Sequence, residues 1–309
     1  MSSTPGERSD RLRTLADTVY VAERCKALYV QVFKAACTTM LWTLLELEGH
    51  DPHVLDGSTR GDIPTHDLLV HDRAVYPIPV ITEVSTALRT QALTSDEWLR
   101  FAVVRNPYAR VYSAWESKLL LGDPGPWQEL GGPPPVMAGS SLDVGASFRA
   151  FIEEFSAHPD VWKSEPHFAS QVSLLALGEI DYDELVPTSR LSSLITALSL
   201  RANAEVTTPT ANQGLGIPWT DLLDATTIDQ INELYADDFE QLDYDHVRPG
   251  DLRSVLLDPV ALRLRSAAVE RSARTVELAR AFREQSQRPP EPRRRDRPER
   301  PGRSRRWSR

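Results

Sequence analysis

The segment that most limits the fold is a run of β-branched and aromatic residues that stops at a lysine and resumes as a helix. Residues 27–33, from Ala27 to Phe33, have the composition of a buried strand. The run ends at Lys34. Thr38 or Thr39 then opens a stretch with apolar residues at helical spacing, and Gly49 stops it. Strand, tight turn and helix in direct succession predict one unit of an α/β sheet. The amides that open such a helix lack intrahelical partners, and the helix dipole adds positive charge there. An anion is the natural occupant. Lys34 adds a full charge, Thr38 and Thr39 add hydroxyls, and the small Ala35 and Ala36 let the backbone approach a ligand. Cys37 reads as a packing residue. The nucleotide-kinase loop GxxxxGK[ST] is absent. By itself the segment fits an anion site and a plain strand–helix connection equally.

A second junction of the same kind lies downstream. Residues 98–104 read as a strand ending at Arg105, and Asn106-Pro107 supply an N-cap and a first helical residue. The helix is expected to run to about Leu121. Arg105 therefore sits at the C-terminal edge of a strand, where parallel sheets bind ligands. Arg110 and Ser113 share one helix face. Arg105 with its planar fork and Ser113 with its hydroxyl fit a second phosphate; alone, each also reads as an ordinary surface residue. Two anion sites on two junctions of one sheet suit a ligand with phosphates at both ends of an adenosine.

The remaining chain predicts a short strand at 68–70, helices at 83–93 and 147–157, and a long Gly/Pro-rich loop at 122–146. A strand near 180–187, helices at 190–200 and 228–242, and a charged helix from Asp258 to about Gln285 follow. Strands alternating with helices indicate a three-layer α/β domain with a mainly parallel central sheet flanked by helices. The expected organisation is a flexible leader at 1–18, one domain at 19–255, a C-terminal helix at 256–285 and a disordered Arg/Pro-rich tail at 286–309. Residues 285–309 carry a net +7, so the rest of the chain holds −16 against a total of −9. A body this acidic is a poor general binder of nucleic acid. The tail could bind acidic polymers, but reads more readily as a solubilising or weakly interacting appendage. No apolar run approaches a membrane span, no signal core is visible, and the two cysteines show no disulfide spacing. A cytoplasmic setting is expected, and the sequence is silent on oligomeric state.

At this point the chain resembles the sulfotransferase superfamily, nearest the branch of carbohydrate sulfotransferases (sulfotransferase family 2). Lys34-Ala35-Ala36-Cys37-Thr38-Thr39 is similar to that branch's loop for the 5′-phosphosulfate. Residues 105–115, Arg105-Asn106-Pro107 through Ser113 to Trp115, resemble its 3′-phosphate motif, with Arg105 and Ser113 at the binding positions. Glu165-Pro166-His167-Phe168-Ala169-Ser170-Gln171 resembles its histidine–aromatic–glutamine segment. Residues 180–183 and 235–239 match later landmarks. Asn106 stands where aspartate is usual, and Trp115 where tyrosine is common. The Golgi members' anchor and disulfides are missing, which points to a soluble, bacterial-style relative.

The resemblance implies a P-loop-like fold and 3′-phosphoadenosine-5′-phosphosulfate (PAPS) as co-substrate, with no metal. The acceptor it implies is a hydroxyl of a carbohydrate, a glycan or another small molecule, with an amine less favoured. Lys34 is placed to stabilise the leaving phosphate. The acceptor needs a base, and His66, His71 and His167 compete, with Glu165 as an outside candidate. His167 holds the branch's landmark position and is favoured, while His71 lies between the two donor motifs. Lys118 could approach the donor, though it reads more readily as a solvated helix residue. A P-loop-like kinase and a non-enzymatic nucleotide-binding scaffold are the competing classes; the first lacks its GK pair, and intact Lys34, Arg105 and Ser113 argue against the second.

Overall fold

A computed structural model describes residues 16–51, 69–73, 76–122, 129–206, 214–264 and 267. In chain order these form β1 (Val19–Ala22), β2 (Ala27–Val30), α1 (Cys37–Leu47), α2 (Thr86–Thr94), β3 (Leu99–Val104) and α3 (Pro107–Trp115). A hairpin of β4 (Met137–Ala138) and β5 (Ser141–Asp143) leads into α4 (Val144–Ala157) and α5 (Pro159–Lys163). Then come α6 (Gln171–Leu175), β6 (Glu184–Pro187), α7 (Leu191–Ala202), α8 (Ala225–Leu234), α9 (Ala236–Gln241) and β7 (Leu256–Leu257).

The central sheet has the order β1-β2-β3-β6. β1 and β2 are antiparallel, and the β2–β3 and β3–β6 pairings are parallel. Parallel strands are covered on both faces, which explains why β2 is buried at every position. Side chains alternate accordingly. Tyr29, Phe101 and Val103 face α1 and α7 through Met40, Leu41, Leu44 and Leu198. Leu28, Val30, Ala102 and Val104 face the opposite layer, where Ala92 of α2 and Leu174 and Leu175 of α6 pack. The three-layer α/β arrangement with a mainly parallel sheet is thus present.

A second, aromatic core gathers α3, α4, α8 and α9. Phe151, Trp162 and Phe168 stand with ring centroids 5.0–5.4 Å apart. Such pairs add about 0.5–1.5 kcal/mol each beyond their area.

Several elements differ from the sequence reading. β1 was not anticipated: Ala16–Thr18 form a 3-10 turn into it, and Gln31 donates its backbone N–H to Thr18 O at 2.8 Å. β2 ends at Val30 because the next residues bend toward Lys34, whose φ is 65°. Leu69–His71 form a 3-10 turn and not a strand. The helix at α3 changes to a π turn over Glu116–Leu120, closed by Leu121 N–H to Glu116 O at 2.8 Å. The expected 122–146 loop contains the β4–β5 hairpin, and α4 starts at Val144. The single helix expected over 228–242 is broken at Tyr235, whose ring is buried and whose hydroxyl donates to Phe168 O at 2.9 Å. Leu256–Leu257 pair with β5 as a strand. Helix resumes at 259–264, where Asp258 Oδ1 accepts from Val260 N–H at 2.8 Å. His66, most of the C-terminal helix and the Arg-rich tail lie outside the described residues.

Candidate functional site

The C-terminal ends of β2 and β3 are neighbours on one edge of the sheet, so the two junctions meet there. The first junction is a strained turn. Lys34 has φ 65° and Ala36 has φ 58°, both left-handed and neither glycine. Each costs about 1 kcal/mol, and such strain concentrates where a site is shaped. Ala36 at the N-cap supplies no side-chain acceptor of its own. Ala35, Cys37, Thr38 and Thr39 are all buried, so the N-terminal end of α1 is recessed.

The second junction is tied to the first. Arg105 Nη1 donates to Lys34 O at 3.1 Å. The Arg105 main chain is held in turn by Gln171, whose Oε1 accepts from Arg105 N–H at 2.8 Å and whose Nε2 donates to Arg105 O at 2.7 Å. Asp238 of α9 fixes this segment by accepting from the Gln171 and Val172 amides, both at 2.9 Å. Burial pushes the Asp238 carboxyl up from the usual carboxylate range.

Arg110 makes the third tie and is 1% exposed. Its Nε donates to Phe33 O at 2.8 Å, Nη1 to Ala169 O at 2.6 Å and Nη2 to Pro166 O at 3.2 Å. One buried guanidinium thus joins the Lys34 turn to the segment carrying His167. Phe168, in the aromatic core, anchors that segment from the other side.

Lys34 Nζ donates to Ser117 Oγ at 2.8 Å. Arg110 and Ser117 both reach the turn, and Ser113 lies between them on the same helix face. Neither the Ser117 partnership nor the burial of Lys118 was read from the sequence. Lys118 is 8% exposed, and the correction to a solvated lysine follows from the π turn, which re-aims the side chains after Trp115.

Two of the three candidate histidines come together. Thr38 Oγ1 lies 2.9 Å from His71 Nε2, and Gln31 Nε2 lies 3.5 Å from His71 Nδ1. The Phe33 and His167 rings are 4.8 Å apart, and His167 Nδ1 lies 2.5 Å from Glu165 Oε1. Burial, then the charges of Lys118, His167 and Lys34, push His71 down to about 3. Burial also pushes His167 down to about 4; the Glu165 hydrogen bond opposes this, and Lys118 reinforces it. Burial alone would raise Glu165, but its bond to His167 outweighs that and holds it below its ordinary value. Both histidines are therefore neutral near pH 7. The carboxylate accepts the His167 Nδ1 proton, which leaves Nε2 as a proton acceptor.

Among the described residues, no group of three or more His, Cys, Asp or Glu is arranged to hold a metal ion. No helix among them is long and apolar enough to cross a membrane.

A family model described as "Sulfotransferase family" matches residues 17–245. No curated protein and no solved structure matches the chain.

Proposed function

The chain belongs to the sulfotransferase family, family 2 of its classification, and from that membership we propose that it moves the sulfuryl group of PAPS to a hydroxyl of a carbohydrate or glycan-type acceptor. The observation that carries this reading is the bond from Arg105 Nη1 to Lys34 O, which makes two cationic strand–helix junctions adjacent. The Lys34–Thr39 turn, taken as a P-loop-like phosphate loop, holds the 5′-phosphosulfate. Arg105 and Ser113 hold the 3′-phosphate. Cys25 and Cys37 are free and buried, which supports operation in a reducing cytoplasm.

Transfer is an in-line displacement. The acceptor oxygen forms a bond to sulfur while the sulfur–oxygen bond to the 5′-phosphate breaks. The electron pair goes to the leaving phosphate, where Lys34, Thr38 and the turn amides stabilise it. His167 Nε2 takes the acceptor hydroxyl proton. Glu165 keeps the ring oriented and stabilises the imidazolium that forms.

Transfer from sulfur-labelled PAPS to a panel of hydroxyl-bearing glycans tests the reading. Lys34→Ala is expected to lower kcat by about two orders of magnitude or more, the scale of losing one oxyanion-type donor. Unchanged transfer and donor binding in that variant would overturn the mechanism.

A further inference from the structure

We propose that Glu116 selects the donor's sugar, its carboxylate accepting a hydrogen bond from the ribose 2′-hydroxyl beside the 3′-phosphate. The inference rests on the preceding assignment of Arg105 and Ser113 to that phosphate.

Glu116 opens the π turn, and its amide donates to Ser113 O, so the two residues lie one turn apart on one side of the helix. The Glu116 side chain is fixed at one oxygen. Oε1 accepts from the Tyr112 hydroxyl at 3.0 Å and from Leu215 N–H at 3.0 Å. Among the described residues Oε2 has no hydrogen-bond partner. Gly214 runs close beside it. A Cβ there would stand 1.9 Å from Oε2, so a side chain at this position would cover the oxygen that the glycine leaves bare.

Arg105 faces this carboxylate electrostatically, yet among the described residues the two do not close into an ion pair. The guanidinium is tied through Nη1 to Lys34 O, and the Arg105 main chain is clamped by Gln171. Its Nε and Nη2 have no partner among the described residues. A cation with spare donors and an anion with a spare acceptor are thus held apart in a partly buried junction, where each is costly until it is satisfied. A bare phosphate satisfies Arg105 and is repelled by Glu116. A phosphate with a hydroxyl on the neighbouring carbon satisfies both. A ribose 3′-phosphate is such a group, because its 2′-hydroxyl is vicinal. The adenine amine, the nucleoside's other donor, lies beyond the sugar. A carboxylate that accepts from a 2′-hydroxyl also turns away a 2′-phosphate by charge repulsion.

Calorimetry compares adenosine 3′,5′-bisphosphate with its 2′-deoxy analogue, its 2′,5′-isomer and its inosine analogue. The unaltered chain is expected to lose about 10–100-fold in affinity for the 2′-deoxy analogue, the scale of one hydrogen bond to a charged group. Glu116→Gln keeps the oxygen that Tyr112 and Leu215 use and replaces Oε2 with an amide nitrogen. It should bind the 3′,5′-bisphosphate more weakly, shrink the 2′-deoxy penalty to about threefold or less, and narrow the gap to the 2′,5′-isomer. Equal binding of the ribose and 2′-deoxy forms by the unaltered chain sinks the inference without any variant having to fold. So does a loss confined to the inosine analogue, which would assign the carboxylate to the adenine amine. Equal weakening of both sugar forms by Glu116→Gln also overturns it, and leaves Glu116 as an anchor for residues 214–215 alone. If the unaltered chain binds none of the bisphosphates, the donor assignment itself fails and takes this inference with it.

Discussion

Arg110→Lys keeps a buried positive charge but removes the planar fork. Arg110 serves three carbonyls, those of Phe33, Ala169 and Pro166. A lysine ammonium on its flexible stem can reach one of them. Two hydrogen bonds from a charged donor are lost, at about 1.5–3 kcal/mol each, so the variant should be less stable by roughly 3–6 kcal/mol. A domain with about 5–15 kcal/mol of stability largely survives this in the cold. The kinetic effect is the sharper one, because the released carbonyls flank Lys34 on one side and His167 on the other. A misplacement of about 1 Å between leaving-group stabiliser and base can cost about a hundredfold in rate. Urea denaturation gives the first quantity, and labelled-PAPS turnover at saturating donor gives the second. A stability loss under about 1 kcal/mol would refute the three-carbonyl account. Lost stability with an unchanged kcat would refute the claim that Arg110 sets the catalytic spacing.

The pH dependence follows from the two depressed histidines. His167 must be neutral to accept a proton, so kcat/KM should fall on the acid side with a midpoint near 4 in the free enzyme. The profile for kcat should be shifted upward, because the bound donor's negative charge favours the imidazolium. In stability terms, the unfolded chain protonates these histidines near pH 6.5 and the folded one resists to about 4 and 3, so stability is full above pH 6.5 and declines as pH falls below it. Thermal melts from pH 8 to 4.5 check this, and a flat Tm refutes it. Gly214→Ala puts a Cβ 1.9 Å from Glu116 Oε2. Because Glu116 Oε1 is held by Tyr112 and the Leu215 amide, the clash should cost about 1–3 kcal/mol, seen as a lowered melting temperature. Removing residues 286–309 should leave bisphosphate affinity and turnover unchanged in calorimetry and rate assays.

The strand–turn–helix units at Lys34 and Arg105 were legible because their signals are local: a β-branched run, a charged stop, a capping residue. β1 was not, because four residues with no turn signature carry too little periodicity. The single helix expected over 228–242 failed at Tyr235, where tertiary burial of one ring overrode helical spacing. The side-chain partnerships were hidden for a different reason. Ser117 reaches Lys34 only because α3 widens into a π turn, and the spacing of residues 116–120 looks like ordinary helix. Gln31 meets His71, and Gln171 meets Arg105, across long stretches of chain whose approach no local pattern encodes. The competition between His71 and His167 could not be resolved from order along the chain, since the fold brings both beside Lys34.

The ties that hold Arg105 also set an order of events for the growing chain. Arg105 depends on Gln171, and Gln171 depends on Asp238, so the Arg105 junction is incomplete until α9 has been made and docked. Closing contacts this distant in sequence is slow, because loop entropy is met before the contacts form. On the proposed donor assignment, PAPS is expected to bind only the finished domain and to raise the melting temperature of the whole in one cooperative step whose size grows with the logarithm of its concentration.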